Sequence, residues 1–157
     1  MYQRIIVPVD GSQTSNQALA TALGLARESG GRVRLIHVVE EMAYLTGYDQ
    51  FGGYAGDLLK IMRETGTGIL ATGVATAREA GVQAEEVLYD HLGERLPEVV
   101  ADEARRWNAD LIVVGTHGRR GVGRILMGSG AEQIVRMAPV PVLVIRSTGP
   151  EPADGGA

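Results

Sequence analysis

Apolar runs and amphipathic stretches alternate along this chain from its first residues to about position 146. Ile5-Ile6-Val7-Pro8-Val9 is a short, largely β-branched run that stops at Asp10-Gly11-Ser12. A run without polar interruption predicts a strand buried on both faces. Helical periodicity follows: Ala18, Leu19, Ala22, Leu25 and Ala26 share a face, Ser12 stands where an N-cap belongs, and Gly30-Gly31 is a stop. Residues 33–39 predict a second strand, and residues 58–80 a long helix weakened by Gly66, Gly68 and Gly73. Residues 85–89 form a more polar strand suited to a sheet edge. Then come a helix over 96–107, an apolar strand over 111–114 ending at Gly115, a glycine-rich connection, a helix over 129–137 and a last strand over 140–145. The polar Pro/Gly stretch 147–157 predicts a disordered tail.

Continuous apolar strands separated by helices are the signature of a parallel sheet covered on both faces. Five strands and four helices give a single-domain, doubly wound α/β fold with right-handed crossovers. Such sheets bind ligands outside the carboxyl ends of their strands, where the strand order reverses. The segments to inspect are Asp10-Gly11-Ser12, His37-Val38-Val39-Glu40 and Gly115-Thr116-His117-Gly118.

Composition narrows the chemistry. The 157 residues carry 15 basic and 19 acidic side chains, a net charge of −4, which argues against a broad nucleic-acid-coating surface. With no cysteine, disulfides, thiolate catalysis and cysteine-held metal are excluded. No apolar run approaches the roughly 18 residues of a membrane span, and the first strand is too short for a signal peptide, so a cytoplasmic protein is expected. The only lysine, Lys60, lies in a helical stretch, and no Gly-Lys-Ser/Thr occurs, so a Walker A loop is excluded. Gly66-Thr67-Gly68-Ile69-Leu70-Ala71 mimics a dinucleotide fingerprint in letters, but a helical stretch precedes it where the mechanism requires a strand. We reject it.

The segment from Gly115 to Ser129 leaves a buried strand and enters a helix. Gly118 lets the backbone approach a ligand with no Cβ in the way. Gly128 and Ser129 open the helix, whose unpaired N–H groups and dipole favour an anion. Arg119, Arg120 and Arg124 bring positive charge, so the segment reads as a phosphate cradle without a Walker lysine.

The pattern Gly115-x2-Gly118-x9-Gly128-Ser129 resembles the nucleotide-binding motif of the universal stress protein family. Ile5-Ile6-Val7-Pro8-Val9-Asp10-Gly11-Ser12, Leu35-Ile36-His37-Val38 and Pro139-Val140-Pro141-Val142-Leu143-Val144 match its other marks, so the likeness runs over residues 4–146. The resemblance implies an adenine nucleotide alpha hydrolase-like sheet of order 3-2-1-4-5, reversing between strands one and four. It implies a nucleotide-binding domain over 1–146 that binds ATP, with magnesium carried on the nucleotide. Backbone groups at Pro8, Val9 and Val38 would hold the adenine, and Asp10 would face the ribose or the metal. Gly115, Thr116, Gly118 and Arg119 would line the sugar and phosphate path, with Gly128, Ser129 and Gly130 donating N–H groups to phosphate. It implies a homodimer paired through residues 140–145, whose prolines suit an edge.

The residues alone leave other readings open. The glycine connection is equally turn chemistry, Asp10 equally a turn bridge, and the arginines equally a solvated loop. His37 reads as a packing residue, and His91 and His117 as surface and loop histidines. Tyr44, Tyr48, Phe51 and Tyr54 crowd the 40–56 loop, a lid or a contact for a protein partner, with a local satellite core as the bland alternative. No nucleophile stands beside a base, which argues against a dedicated enzyme; the resemblance implies a nucleotide-dependent stress-response regulator, with slow ATP hydrolysis or a nucleotide-free interaction module as alternatives.

Overall fold

The computed structural model describes residues 1–39, 54–91, 93–116 and 127–146. Its elements in chain order are β1 (Arg4–Pro8), α1 (Gln13–Ser29), β2 (Arg32–Val38), α2 (Tyr54–Glu79), β3 (Gln83–Tyr89), α3 (Leu96–Trp107), β4 (Leu111–Gly115), α4 (Ser129–Met137) and β5 (Val142–Ile145). The strands form one sheet of order β3-β2-β1-β4-β5, and every pairing is parallel. This is the doubly wound order expected above, with the polar strand β3 at one edge and β5 at the other.

Strand alternation divides the core into two layers. On one face Ile5, Val7, Val33, Leu35, Leu111 and Val113 pack against α1 and α2. On the other Ile6, Ile36, Ile112 and Val114 pack against α3 and α4. Both faces being covered explains why β1 and β4 read as unbroken apolar runs.

The helix α1 begins where the Ser12 hydroxyl accepts the Ser15 N–H at 3.2 Å and ends at Gly30 in the left-handed region. Its buried stripe holds Leu23, whereas Leu25 is only partly buried against the core. At α2 the glycines have a packing reason. A Cβ on Gly73 would stand 2.6 Å from Leu35 Cδ1, and one on Gly66 2.5 Å from His37 Cδ2. Small residues there let α2 lie directly on β2. Gly68 has open space around it, so packing gives no account of that position.

Two expectations move. The second helix starts at Tyr54, so this aromatic belongs to α2 and not to the 40–56 loop; Tyr44, Tyr48 and Phe51 lie outside the described residues. The last strand starts at Val142 rather than 140: Pro139 and Pro141 have no N–H to give a ladder, and Pro141 contributes only its carbonyl, which accepts the Ile112 N–H at 3.0 Å. The tail 147–157 also lies outside the described residues. Among those that are described, no helix is long and apolar enough to cross a membrane.

Candidate functional site

The strand order reverses between β1 and β4. Their register pairs Ile5 with Leu111 and Ile6 with Ile112 and goes no further. On either side the ladders continue, to Pro8↔Ile36 and to Gly115↔Ile145. The next β1 amide facing β4 would be that of residue 8, and Pro8 has no N–H, so the ladder ends there; the cleft in which such sheets bind ligands lies beyond the carboxyl ends of these two strands, at the topological switch point.

The β1 side of this cleft is a wired turn. The Val9 N–H donates to the Ile36 carbonyl at 2.8 Å, and His37 Nδ1 bonds the Val9 carbonyl at 2.8 Å. Asp10 Oδ1 accepts the Ser12 N–H at 2.9 Å, while the Asp10 N–H donates to Ser15 Oγ at 3.1 Å. Asp10 thus bridges the turn, as one reading of the sequence had it. Val38 lies two residues past the last β1 pairing, on the side of β2 that faces the cleft: polar groups alternate along a strand, and Ile36 points toward β1.

The β4 side is built on close approach. A Cβ on Gly115 would stand 2.9 Å from Thr14 Cβ and 3.0 Å from the Thr14 carbonyl oxygen. Glycine at 115 is what lets the first turn of α1 rest on the end of β4. Thr116 is 9% exposed; its N–H donates to the Ile145 carbonyl at 2.9 Å, and its carbonyl accepts the Gly128 N–H at 2.6 Å. Gly128 was expected to offer that N–H to phosphate. Instead it joins the two ends of the glycine-rich connection, because the β4 exit brings the Thr116 carbonyl within reach.

Gly128 is the N-cap of α4 and, being glycine, brings no side-chain cap of its own. The first intrahelical bond runs from the Glu132 N–H to the Gly128 carbonyl at 3.0 Å, so the amides of Ser129 and Gly130 precede it. With that of Ala131 they are the amides this helix end leaves without an i−4 partner, aligned with its positive dipole end. A methyl on Gly130 would meet only Leu96, at 3.9 Å, so packing does not demand glycine there. His117, Gly118, Arg119, Arg120 and Arg124 lie outside the described residues. Pro8, Val9, Asp10, Val38, Gly115, Thr116, Gly128, Ser129 and Gly130 all fall at the carboxyl end of the sheet.

Sequence reasoning missed three participants. Ser15 and Thr14 are buried in the first turn of α1, the one bonded to Asp10 and the other against Gly115. The spacing Ser12-x-x-Ser15 carried that signal. His37 was read as packing, and nothing in the linear chain marks the Val9 carbonyl as its partner. Beneath the β2–β3 side lies a polar cluster. Glu103, 5% exposed, takes hydrogen bonds from Arg34 and from the Tyr89 hydroxyl, and Arg34 also binds Glu85 and stacks 4.6 Å from the Trp107 ring centre. Burial foremost, then the Glu103 carboxylate, push the Tyr89 hydroxyl from 10.0 up to about 12. A groove of about 420 Å³ runs between α1 and α2, lined by Gly11, Asn16, Thr65, Gly68, Ile69 and Thr72 among others, and no lining side chain is titratable. Among the described residues no three metal-ligating side chains come together.

A universal stress protein of Methanocaldococcus jannaschii is 33% identical over 148 residues, 93% of this chain and 83% of that protein. A solved universal stress protein family structure from Burkholderia pseudomallei is 33% identical, covers 93% of this chain and 97% of its own, and superposes with a TM-score of 0.75. The Archaeoglobus fulgidus universal stress protein in complex with dAMP is 26% identical, covers 92% and 98%, and has a TM-score of 0.65. The model of the universal stress protein family matches residues 1–146, the stretch that holds all five strands and the cleft between β1 and β4. By sequence and by fold together, the chain belongs to the universal stress protein family.

Proposed function

We propose that this chain binds an adenine nucleotide, ATP with magnesium, across the cleft between β1 and β4, and that it acts through the bound state as a homodimeric regulator of the stress response. The observation that carries the reading is the meeting of two features at one place. The strand order reverses between β1 and β4, and the first turn of α4, whose N-cap Gly128 has no side chain, stands at the carboxyl end of β4, held there by the Gly128–Thr116 bond. An open switch point accepts a planar base and a sugar; helix-end amides accept phosphate. The Archaeoglobus fulgidus relative with dAMP supports an adenine nucleotide as the ligand. Val38 would meet the base, Asp10 the ribose or a phosphate-borne cation, and Ser129 and Gly130 the phosphates. Magnesium would neutralise phosphate charge when bound.

The test is calorimetric titration of the full chain with ATP, with and without magnesium, beside Ser129→Glu. A carboxylate near a helix N-terminus favours the helix, so this variant keeps its fold while repelling phosphate. Binding by the wild type and at least a tenfold loss in Ser129→Glu are expected. A wild type that binds neither ATP nor AMP ends the proposal.

A further inference from the structure

His37 occupies an unusual station. It follows Val33 and Leu35 on the face of β2 that α2 covers, and at that level β1 has left the ladder: the last β1–β2 pair is Pro8↔Ile36. The next ladder acceptor, the Val9 carbonyl, is taken by the His37 imidazole at 2.8 Å. A carbonyl only accepts, so Nδ1 carries the proton. The side chain continues the ladder one step past the strand. What it holds is the root of the turn, for Val9 leads directly into Asp10, and the Asp10–Ser12–Ser15 bonds fix everything after it.

The ring is held in turn. Gly66 of α2 lies against it so closely that a Cβ would stand 2.5 Å from Cδ2, 3.0 Å from Nε2 and 3.0 Å from Leu88 Cδ1. Leu88 is the register partner of His37 on β3. Gly66 and Gly73, two turns apart, sit over His37 and Leu35, two residues apart on β2. The glycine at 73 accommodates a flexible apolar side chain. The glycine at 66 accommodates one that is hydrogen-bonded to the wall of the cleft.

We propose that His37 is a positioning residue for the nucleotide cleft, and that Gly66, a residue of α2 with no place in the cleft, is the seat that keeps the imidazole on the Val9 carbonyl. The proposal rests on the adenine-nucleotide reading above. It makes α2 a lever on affinity: whatever enlarges residue 66 displaces the ring, frees the Val9 carbonyl and loosens Asp10 at the mouth of the cleft.

The experiment uses the full chain and four variants: His37→Phe, which keeps a ring and removes the donor, Gly66→Ala, His37→Ala, and the double variant Gly66→Ala with His37→Ala. Magnesium-ATP and AMP are the probes, and amide hydrogen exchange follows residues 9–12 against the β4 amides as an internal reference. ¹⁵N spectra of the wild type are expected to show a protonated Nδ1 at neutral pH. His37→Phe and Gly66→Ala are each expected to weaken nucleotide binding about fivefold, the worth of one ordinary hydrogen bond, and to speed exchange at residues 9–12 while β4 is unchanged. In the His37→Ala background the added methyl has room, so Gly66→Ala is expected to leave affinity unchanged and to raise the unfolding midpoint, alanine being the better helix former. A merely structural role would move the midpoint and leave affinity alone. Wild-type affinity in His37→Phe, or an equal loss from Gly66→Ala in both backgrounds, overturns the proposal. A wild type that binds neither nucleotide sinks the functional reading by itself; the exchange data then still decide, since unaltered rates at residues 9–12 in His37→Phe refute the positioning role.

Discussion

Gly115 and Thr14 approach so closely that a Cβ on the glycine would stand 2.9 Å from the Cβ of Thr14 and 3.0 Å from its carbonyl oxygen. The atoms in the way are backbone and Cβ, which alanine at 14 would keep. Gly115→Ala is therefore expected to cost about 1–3 kcal/mol, the usual range for overpacking, and Thr14→Ala is not expected to recover it. Urea unfolding of the single and double variants checks this. Recovery in the double variant would show that the threonine methyl or hydroxyl, rather than the main chain of α1, is what meets β4.

The bond between the Thr116 carbonyl and the Gly128 N–H makes a second contrast. Gly128 has φ −60 and ψ 155, a conformation open to any residue and to proline. Gly128→Ala keeps the donor and Gly128→Pro removes it. Alanine is expected to leave stability near the wild-type value, and proline to lower it by about 1 kcal/mol, the worth of one hydrogen bond. Thermal unfolding of the two variants side by side is the measurement, and equal melting points would mean that the bond closing this connection contributes nothing net.

Much of this architecture is legible in the chain because buried strands leave a plain trace. Ile5-Ile6-Val7 and Leu111-Ile112-Val113-Val114 are apolar throughout since both sheet faces are covered. Ser12 and Gly30 mark the ends of α1 through local chemistry that needs no tertiary contact. The sheet order came through resemblance, because pairing between distant strands is not written in either strand. What stayed hidden depends on contacts across the fold. His37 meets a carbonyl 28 positions earlier. Gly66 and Gly73 look like defects in a helix until β2 is placed beneath them. Glu103 is buried among Arg34 and Tyr89, partners from other elements that its own helix does not announce. The Gly128 amide reads as a phosphate donor until the exit of β4 brings the Thr116 carbonyl to it.

The Tyr89 hydroxyl gives stability a pH signature. Its folded value is pushed up to about 12, first by burial and then by its hydrogen bond to Glu103, against 10.0 for an ordinary tyrosine. The unfolded chain therefore loses this proton first. The contribution of the protonated hydroxyl is complete below pH 10 and is lost between about pH 10 and 12. Tyr89→Phe is expected to show a shallower fall in unfolding free energy across that window than the wild type. The difference in tyrosinate absorbance between the two proteins is expected to rise near pH 12. A difference titrating near 10 instead would mean that the hydroxyl is not held by Glu103.

The edge strand β5 carries the remaining expectation. Its inner side is paired with β4 from Ile112↔Val142 to Gly115↔Ile145, and β5 is the last strand of the sheet. Leu143 is 37% exposed, and on α4, which packs on the Val142 and Val144 face, Val135 is 43% and Met137 39% exposed. An apolar edge strand in this state invites pairing with another strand, and a charge placed on it opposes that pairing. In the homodimer we propose, two copies of β5 meet about a two-fold axis, and Leu143 is the exposed apolar side chain within that strand. Sedimentation equilibrium of the wild type is expected to give twice the mass of one chain, and Leu143→Arg the mass of one. Leu143 is on the edge strand, with β4 between it and β1, so nucleotide affinity per chain is expected to stay within about twofold, well under the 1.4 kcal/mol that separates tenfold steps. A wild type that sediments as a single chain, or an arginine variant that still dimerises, would place the contact elsewhere or remove it.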